Sequence, residues 1–163
     1  MVSAGRLTVV GLGPGALDQI TPEAAAALHG ADDVVGYLPY VSRAQALLAQ
    51  AGQGQAVAWH ASDNRVELER ARQALALAAQ GRQVVVVSSG DPGVFAMASA
   101  VFEAMESADA GQAAAWQALD TQVLPGITAM LAAAARAGAP LGHDFCCICL
   151  LYTSDAADDS LRV

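Results

Sequence analysis

The order of apolar and polar positions along the chain predicts strands and helices that alternate. Four short apolar runs are typical of buried strands, and a glycine or proline lies at or near the end of each. These runs are RLTVVG from residue 6, DDVVGY from residue 32, VVVV from residue 84 and TQVL from residue 121. Because strands that alternate with helices pair in parallel, we expect an α/β fold, a three-layer domain with a mostly parallel sheet.

Two predicted helices carry clear start signals. Thr21 is a typical N-cap, with Pro22 at the first helical position and Gly30 at the end of the helix. Ser42 and Gln45 match a capping box, which predicts that the second helix begins there. Three further helices are expected from apolar residues at helical spacing, over 63–80, from residue 95 to 105, and after the Pro-Gly pair at 125–126 as far as Gly138.

The loops that follow three of the strands are unusually rich in small residues. They read GLGPG at 11–15, SSGDPG at 88–93 and PGITA at 125–129. Loops that leave parallel strands lie along one carboxyl edge of the sheet, where ligands bind at a switch in strand order. We therefore expect the three loops to meet at one crevice, where a ligand lies against bare backbone.

Composition and charge narrow the class of protein. The chain has 163 residues, of which 55% are hydrophobic, and a formal charge of −8. All eight basic residues are arginines and they are scattered, which argues against nucleic acid as a partner. No apolar run reaches the roughly 18 residues of a membrane span, and the three cysteines do not form a disulfide framework. We expect a soluble cytoplasmic protein.

The glycine loops leave few classes of ligand open. GLGPGA at 11–16 formally fits the dinucleotide fingerprint, but Pro14 interrupts it and the helix waits until Thr21. A P-loop needs a lysine, and the chain has none. The loops therefore favour a ligand with an adenine-and-ribose body and few phosphates.

Four motifs in order resemble one known family. They are VGLGPG, VVGYLPYV, the segment from ASDNRVELER to SSGDPGVFAMASAVFEAME, and VLPGITAMLAAAARAGAPLGHDF. Over residues 5 to 145 they resemble the amino-terminal half of the tetrapyrrole (corrin/porphyrin) methyltransferases, most of all the branch that methylates C17 of precorrin-3B in cobalamin biosynthesis. The resemblance implies S-adenosyl-L-methionine as cofactor, a precorrin as methyl acceptor, ring contraction with the methyl transfer, and a homodimer in the full-length protein.

The same resemblance assigns site residues. The cofactor-binding positions it implies are Pro14, Ser89, Gly90, Asp91, Val94, Thr128 and Ala129. Tyr37 and Tyr40 would lie near the tetrapyrrole, but we favour the interpretation that they are a partly buried aromatic pair, because tyrosine is often half-buried. No catalytic residue is assigned, because methyl transfer from a sulfonium depends mainly on alignment.

Several of these residues also have a structural interpretation. Asp91 followed by Pro92 is typical of a helix N-cap, and Thr128 is a plausible cap of the last helix. Arg43 and Arg65 are candidates to pair with substrate carboxylates or to be solvated helix residues. His60 and His143 are expected in loops, where either could do acid–base work.

The carboxyl-terminal segment departs from the family pattern after Phe145. His143, Cys146 and Cys149 form a compressed H-x-x-C-x-x-C, but we predict no metal and instead an apolar strand FCCICLLY over 145–152. We assign 1–150 to the family's amino-terminal domain and 151–163 to an atypical tail that resembles a frameshifted or appended segment. The family's second domain is then absent, and we expect this chain alone to be inactive. Another family branch, acting on uroporphyrinogen or another precorrin carbon, and a non-catalytic nucleotide-binding domain remain open.

Overall fold

A computed structural model describes residues 5–50, 52 and 56–149 of the chain. These residues form five strands and six α-helices. The strands are β1 (Arg6–Gly11), β2 (Asp33–Tyr37), β3 (Ala58–Ser62), β4 (Gln83–Ser88) and β5 (Asp120–Leu124). The helices are α1 (Pro22–His29), α2 (Leu38–Gln50), α3 (Glu67–Ala79), α4 (Met97–Glu106), α5 (Ala110–Gln117) and α6 (Ala129–Arg136). The tail predicted over 151–163 lies outside the described residues.

The strands form one sheet in the order β3-β2-β4-β1-β5, and every strand pair is parallel. Val86 of β4 lies opposite Val9 of β1 on one side and Val35 of β2 on the other. Valine runs suit these central strands because both faces of a parallel sheet are buried. The predicted α/β fold with a parallel sheet is confirmed.

Helices cover both faces of the sheet and form two apolar cores. On one face, α3, α4 and α5 pack on the strands through residues such as Leu75, Val101 and Trp116. On the other, α1 and α2 contribute Leu28 and Leu48. The central strands are thus buried between two helical layers, and the glycine-rich loops follow at their carboxyl ends. Among the described residues, no helix combines the length and apolar character needed to cross a membrane.

The predicted start of α2 at Ser42 is wrong. The helix begins four residues earlier, at Leu38, directly after β2. The Ser42 hydroxyl donates to the carbonyl of Leu38 at 3.0 Å, a bond that serine makes within a helix rather than at its start. By contrast, Thr21 caps α1 as predicted, because its hydroxyl accepts the Ala24 N–H at 3.2 Å.

Two elements have no predicted counterpart, and others differ in extent. β3 is an edge strand without a valine run, and its side chains are half-buried or exposed. α5 buries a single residue, Trp116, so its apolar pattern is weak. The helix predicted from residue 63 begins at Glu67, and the helix after β4 begins at Met97 and leaves Phe95 in the preceding loop.

The strand predicted over 145–152 is wrong in its described part. Residues 145–149 have no regular structure, and Cys146 and Cys147 are exposed. This segment lies outside the sheet, so its apolar residues do not form a buried strand. Residues 150–152 lie outside the described residues.

Candidate functional site

The loops after β1 and β4 are joined by backbone hydrogen bonds. The Gly90 N–H donates to the carbonyl of Gly13 at 3.0 Å, and the Gly13 N–H donates to the carbonyl of Gly90 at 3.2 Å. Both glycines have positive φ, 66° at Gly13 and 56° at Gly90, which L side chains rarely adopt. Because β4, β1 and β5 are neighbours in the sheet, the third glycine-rich loop lies beside this pair.

Two other glycines are required by the contact between these loops. A Cβ on Gly126 would lie 2.2 Å from the carbonyl oxygen of Gly90, and one on Gly11 would lie 2.3 Å from the same atom. Such distances are impossible for real side chains. The three loops thus approach one another through their bare backbones, and the missing side chains serve this packing as well as any ligand.

Asp91 connects two of the loops through its carboxylate. Its Oδ1 accepts the Gly93 N–H at 2.8 Å and its Oδ2 accepts the Gly126 N–H at 3.0 Å. The interpretation of Asp91 as a helix N-cap is wrong, because α4 begins six residues later, at Met97. Residues between them form turns, and Asp91 satisfies backbone donors of the loops.

Thr128 does cap the last helix. Its hydroxyl accepts the Leu131 N–H at 3.1 Å, and α6 follows directly. Thr128 and Ala129 place the amino-terminal end of α6 at the carboxyl edge of the sheet. The partial positive charge of a helix N-terminus therefore borders the crevice.

The loops after β4 and β5 border a cleft of about 410 Å³ at the carboxyl edge of the sheet, whereas the loop after β1, which was expected at the same crevice, contributes no lining residue and packs against the β4 loop instead. The lining of the cleft includes eight of the nine site residues predicted from the sequence, namely Tyr37, Tyr40, Ser89, Gly90, Asp91, Val94, Thr128 and Ala129. The ninth, Pro14, is half-buried in the β1 loop and is not part of the lining. Further lining residues are Asn64, Glu67, Arg70, Ser88, Phe95, Ala96, Met97, Met130 and Cys147.

The two tyrosines form an edge-to-face pair beside this cleft. Their ring centroids are 5.3 Å apart and the ring planes meet at 89°. Both rings are half-buried, as the structural interpretation of the pair predicted. They also line the cleft, so the same pair presents an aromatic surface to anything bound there.

Arg43 does not face the cleft but supports the first glycine loop. Its guanidinium donates to the carbonyls of Leu12 at 2.6 Å and Gly13 at 3.2 Å. Burial lowers the pKa of Arg43. Arg65, the other candidate for substrate carboxylates, is exposed in the turn before α3 and is not part of the cleft lining.

The sequence analysis missed Arg70, which lines the cleft from α3. Its side chain is buried and its pKa is lowered, chiefly by burial, against the opposing effect of Glu67, Tyr40 and Asp63. The sequence contains only a weak signal that Arg70 is buried. Arg70 is four residues before Ala74 and so shares a helix face with a buried alanine.

Neither histidine proposed for acid–base work lies at the cleft. His60 is in β3 rather than in a loop, and its Nε2 is 2.7 Å from Oδ1 of Asp33. Asp33 begins β2, at the edge of the sheet opposite the cleft, and its Oδ2 accepts a hydrogen bond from Nε of Arg82. Burial raises the pKa of Asp33, but the bonds from Arg82 and His60 outweigh this and leave it below its ordinary value. His143 is exposed.

Among the residues that the structure describes, no group of three or more His, Cys, Asp or Glu side chains could hold a metal ion. The H-x-x-C-x-x-C pattern therefore does not gather its members around one point within this part of the chain.

Comparison with known proteins gives the family. The model of the Tetrapyrrole (Corrin/Porphyrin) Methylases matches residues 6–163. The chain belongs to this family. The resemblance noted over residues 5 to 145 is thereby confirmed.

Among curated tetrapyrrole methylases, the precorrin-3B C(17)-methyltransferase of Sinorhizobium sp is 51% identical over 146 residues, covering 90% of this chain and 53% of that protein. The probable cobalt-factor III C(17)-methyltransferase of Salmonella typhimurium is 40% identical, covering 88% and 54%. The chain thus spans about half the length of these relatives.

Solved structures of the family share this fold. The crystal structure of the methyltransferase CobJ matches with a TM-score of 0.78 and 54% identity, covering 97% of this chain and 62% of that one. Uroporphyrin-III C-methyl transferase from Thermus thermophilus, complexed with S-adenyl homocysteine, matches with a TM-score of 0.60 and 26% identity, covering 86% and 54%. A member of the same fold thus binds the demethylated form of the expected cofactor.

Proposed function

We propose that the chain forms the cofactor-binding half of an S-adenosyl-L-methionine-dependent methyltransferase that methylates C17 of precorrin-3B in cobalamin biosynthesis, with contraction of the ring. The observation that carries this proposal is the single cleft that gathers eight of the nine implied site residues from three separate segments of sequence. The 51% identity to a precorrin-3B C(17)-methyltransferase supports this choice of substrate over that of the more distant uroporphyrin enzyme.

The cleft suits a ligand with an adenosine body and a sulfur centre. Its volume of about 410 Å³ lies within the range of small-molecule sites. Val94, Phe95 and Met130 offer apolar contacts for a flat base, whereas Ser89 and Thr128 offer hydroxyls. These residues fit the cofactor, and no lining group demands a metal or a phosphate.

Each part of the cleft has a distinct task in this proposal. The backbone at Ser89 and Gly90 and the start of α6 at Thr128 would hold the cofactor body by hydrogen bonds. Asp91 would keep the loops at the spacing that this requires, since its carboxylate is bonded to both of them. The paired rings of Tyr37 and Tyr40 would lie against the tetrapyrrole.

The bound cofactor supplies a methyl group on a sulfonium, which a carbon nucleophile of the substrate accepts. The residues of this chain would contribute alignment, because an in-line approach can account for a large part of such a barrier. The half-buried side chains of Tyr37, Tyr40 and Met130 would also exclude water from the reacting atoms. The relatives are about twice as long as the matched region, so we propose that residues outside it complete the cleft.

The proposal is tested by binding and by a chimera. S-adenosylhomocysteine should bind the chain in equilibrium dialysis, and NAD⁺ should not compete with it. The chain alone should not methylate precorrin-3B. Residues 5–149 joined to the carboxyl-terminal half of the Sinorhizobium relative should do so.

Each arm has an outcome that contradicts a specific part of the proposal. Competition by NAD⁺ would contradict the cofactor. A chimera that methylates uroporphyrinogen III but not precorrin-3B would contradict the substrate. Methylation of precorrin-3B by the 163-residue chain alone would contradict the need for a second half.

A further inference from the structure

Arg70 is a buried cation on the wall of the cleft. Only 3% of its surface is exposed, yet it is one of the residues that line the cavity. Arginine is rarely buried to this extent unless it is paired with an anion, because removing a charge from water is costly. The question is therefore which groups around the guanidinium offset its buried charge.

Arg70 has three hydrogen-bond partners in the described part of the chain, and all three are neutral. Nε donates to the Ser62 hydroxyl at 2.9 Å, and Nη2 donates to the backbone carbonyl of Asp63. Nη1 donates to the sulfur of Met97 at 3.2 Å. A thioether is a weak acceptor, so one side of the guanidinium is poorly satisfied.

No carboxylate in the described part of the chain forms an ion pair with Arg70; the ion pairs found there involve Arg6, His60 and Arg82. Glu67 and Asp63 act on it only from a greater distance. A guanidinium has five N–H groups, and three hydrogen bonds leave two for another partner. Its planar fork is shaped to bind a carboxylate with two parallel bonds.

We infer that Arg70 receives a carboxylate of the ligand that occupies this cleft. The inference rests on the proposed function, which supplies two sources of this group: the amino-acid end of the cofactor and the acidic side chains of the tetrapyrrole. In either case Arg70 is a binding and positioning residue, and the carboxylate completes a charge pair that residues 5–50, 52 and 56–149 leave open. The same contact fixes one end of the ligand relative to the loops around Asp91.

The test compares three probes on the wild-type chain and on Arg70→Gln. S-adenosylhomocysteine carries the amino-acid carboxylate, methylthioadenosine has the same nucleoside and sulfur without it, and uroporphyrin III is a stable tetrapyrrole with many carboxylates. If the cofactor is the source, the variant should bind S-adenosylhomocysteine about tenfold to a hundredfold more weakly and methylthioadenosine equally well. If the substrate is the source, the affinity for uroporphyrin III should fall instead, by a similar factor.

The ratio of the two nucleoside affinities within one variant separates recognition from folding, because loss of folded protein weakens both probes alike. Arg70→Lys keeps the charge but not the fork, and should recover part of the lost affinity. Arg72→Gln, an exposed arginine on the same helix, is the matched control and should bind all probes as the wild type does.

The outcomes distinguish the inference from the function on which it rests. If the wild type binds the probes and Arg70→Gln binds them with unchanged affinity ratios, the inference is overturned and the proposed function stands. If the wild type binds none of the three, the proposed function fails and the inference fails with it.

Discussion

The carboxylate of Asp91 accepts the backbone N–H of Gly126, a residue 35 positions further along the chain, at 3.0 Å. Its other oxygen accepts the N–H of Gly93 at 2.8 Å. One side chain thus sets the spacing between the loops after β4 and β5. The sequence around Asp91 is typical of a helix N-cap, but in the structure its carboxylate joins two loops that border the cleft.

Replacing Asp91 by Asn should therefore loosen both loops. An amide has one oxygen, so its NH₂ group must face one of the two backbone donors, and that donor loses its partner. We expect a loss of about 1–3 kcal/mol in the free energy of unfolding, measured by urea denaturation, together with weaker binding of S-adenosylhomocysteine. Asp109→Asn is the control, because Asp109 precedes α5 without a side-chain capping bond. Equal stability of the two variants would refute the bridging role.

The contact between glycines predicts a sharp difference between two Gly→Ala substitutions. In Gly126→Ala the new Cβ would lie 2.2 Å from a backbone oxygen, so the loops must separate. We expect a loss of several kcal/mol or failure to fold, since no flexible side chain can give way. Gly15→Ala has nothing within 4 Å of its Cβ and should change stability by less than about 0.5 kcal/mol. Thermal unfolding of both variants measures this, and similar melting temperatures would contradict the packing role.

The loop of Phe95 carries backbone strain. Phe95 has φ of 49°, in the left-handed region, and 58% of its surface is exposed. Phe95→Gly and Phe95→Ala both remove the ring, but only glycine adopts this conformation without cost. The glycine variant should be more stable than the alanine variant by about 1 kcal/mol in chemical denaturation. An alanine variant of equal or greater stability would show that the loop relaxes without strain.

The pairing of Asp33 with Arg82 and His60 predicts a dependence of stability on pH. Because the pKa of Asp33 in the folded protein lies below its ordinary value of 3.8, its contribution is fully present above that value. The contribution is lost as the pH falls through the lowered pKa of the folded state. Asp33→Asn should therefore reduce the free energy of unfolding by a constant amount near neutral pH, and the gap from the wild type should narrow below about pH 4.

Asp18→Asn is the control substitution, because Asp18 is exposed and takes part in none of the ion pairs found among the described residues, so at neutral pH this variant should be as stable as the wild type. If the difference in the free energy of unfolding between the wild type and Asp33→Asn widened on acidification, the stabilising role of this ion pair would be contradicted.

Local signals in the sequence were sufficient for much of the fold. The valine runs identified the central strands, and the hydroxyls of Thr21 and Thr128 cap the helices that follow them. Both kinds of signal act within a few residues, so neighbouring sequence contains all the information they need. The edge strand β3 was not predicted, because its half-exposed positions do not require a continuous apolar run.

The sequence by itself determined the alternation of strands and helices, the glycine-rich loops at strand ends and the family motifs that they carry. Only the tertiary structure decided what those loops do to one another, because Gly11, Gly90 and Gly126 meet through backbone contacts between distant segments. It also decided that Asp91 bridges loops, that Arg43 supports the first of them and that Arg70 is buried without an anionic partner among the described residues. Burial and pairing depend on which segments the sheet order brings together, and no local pattern contains that information.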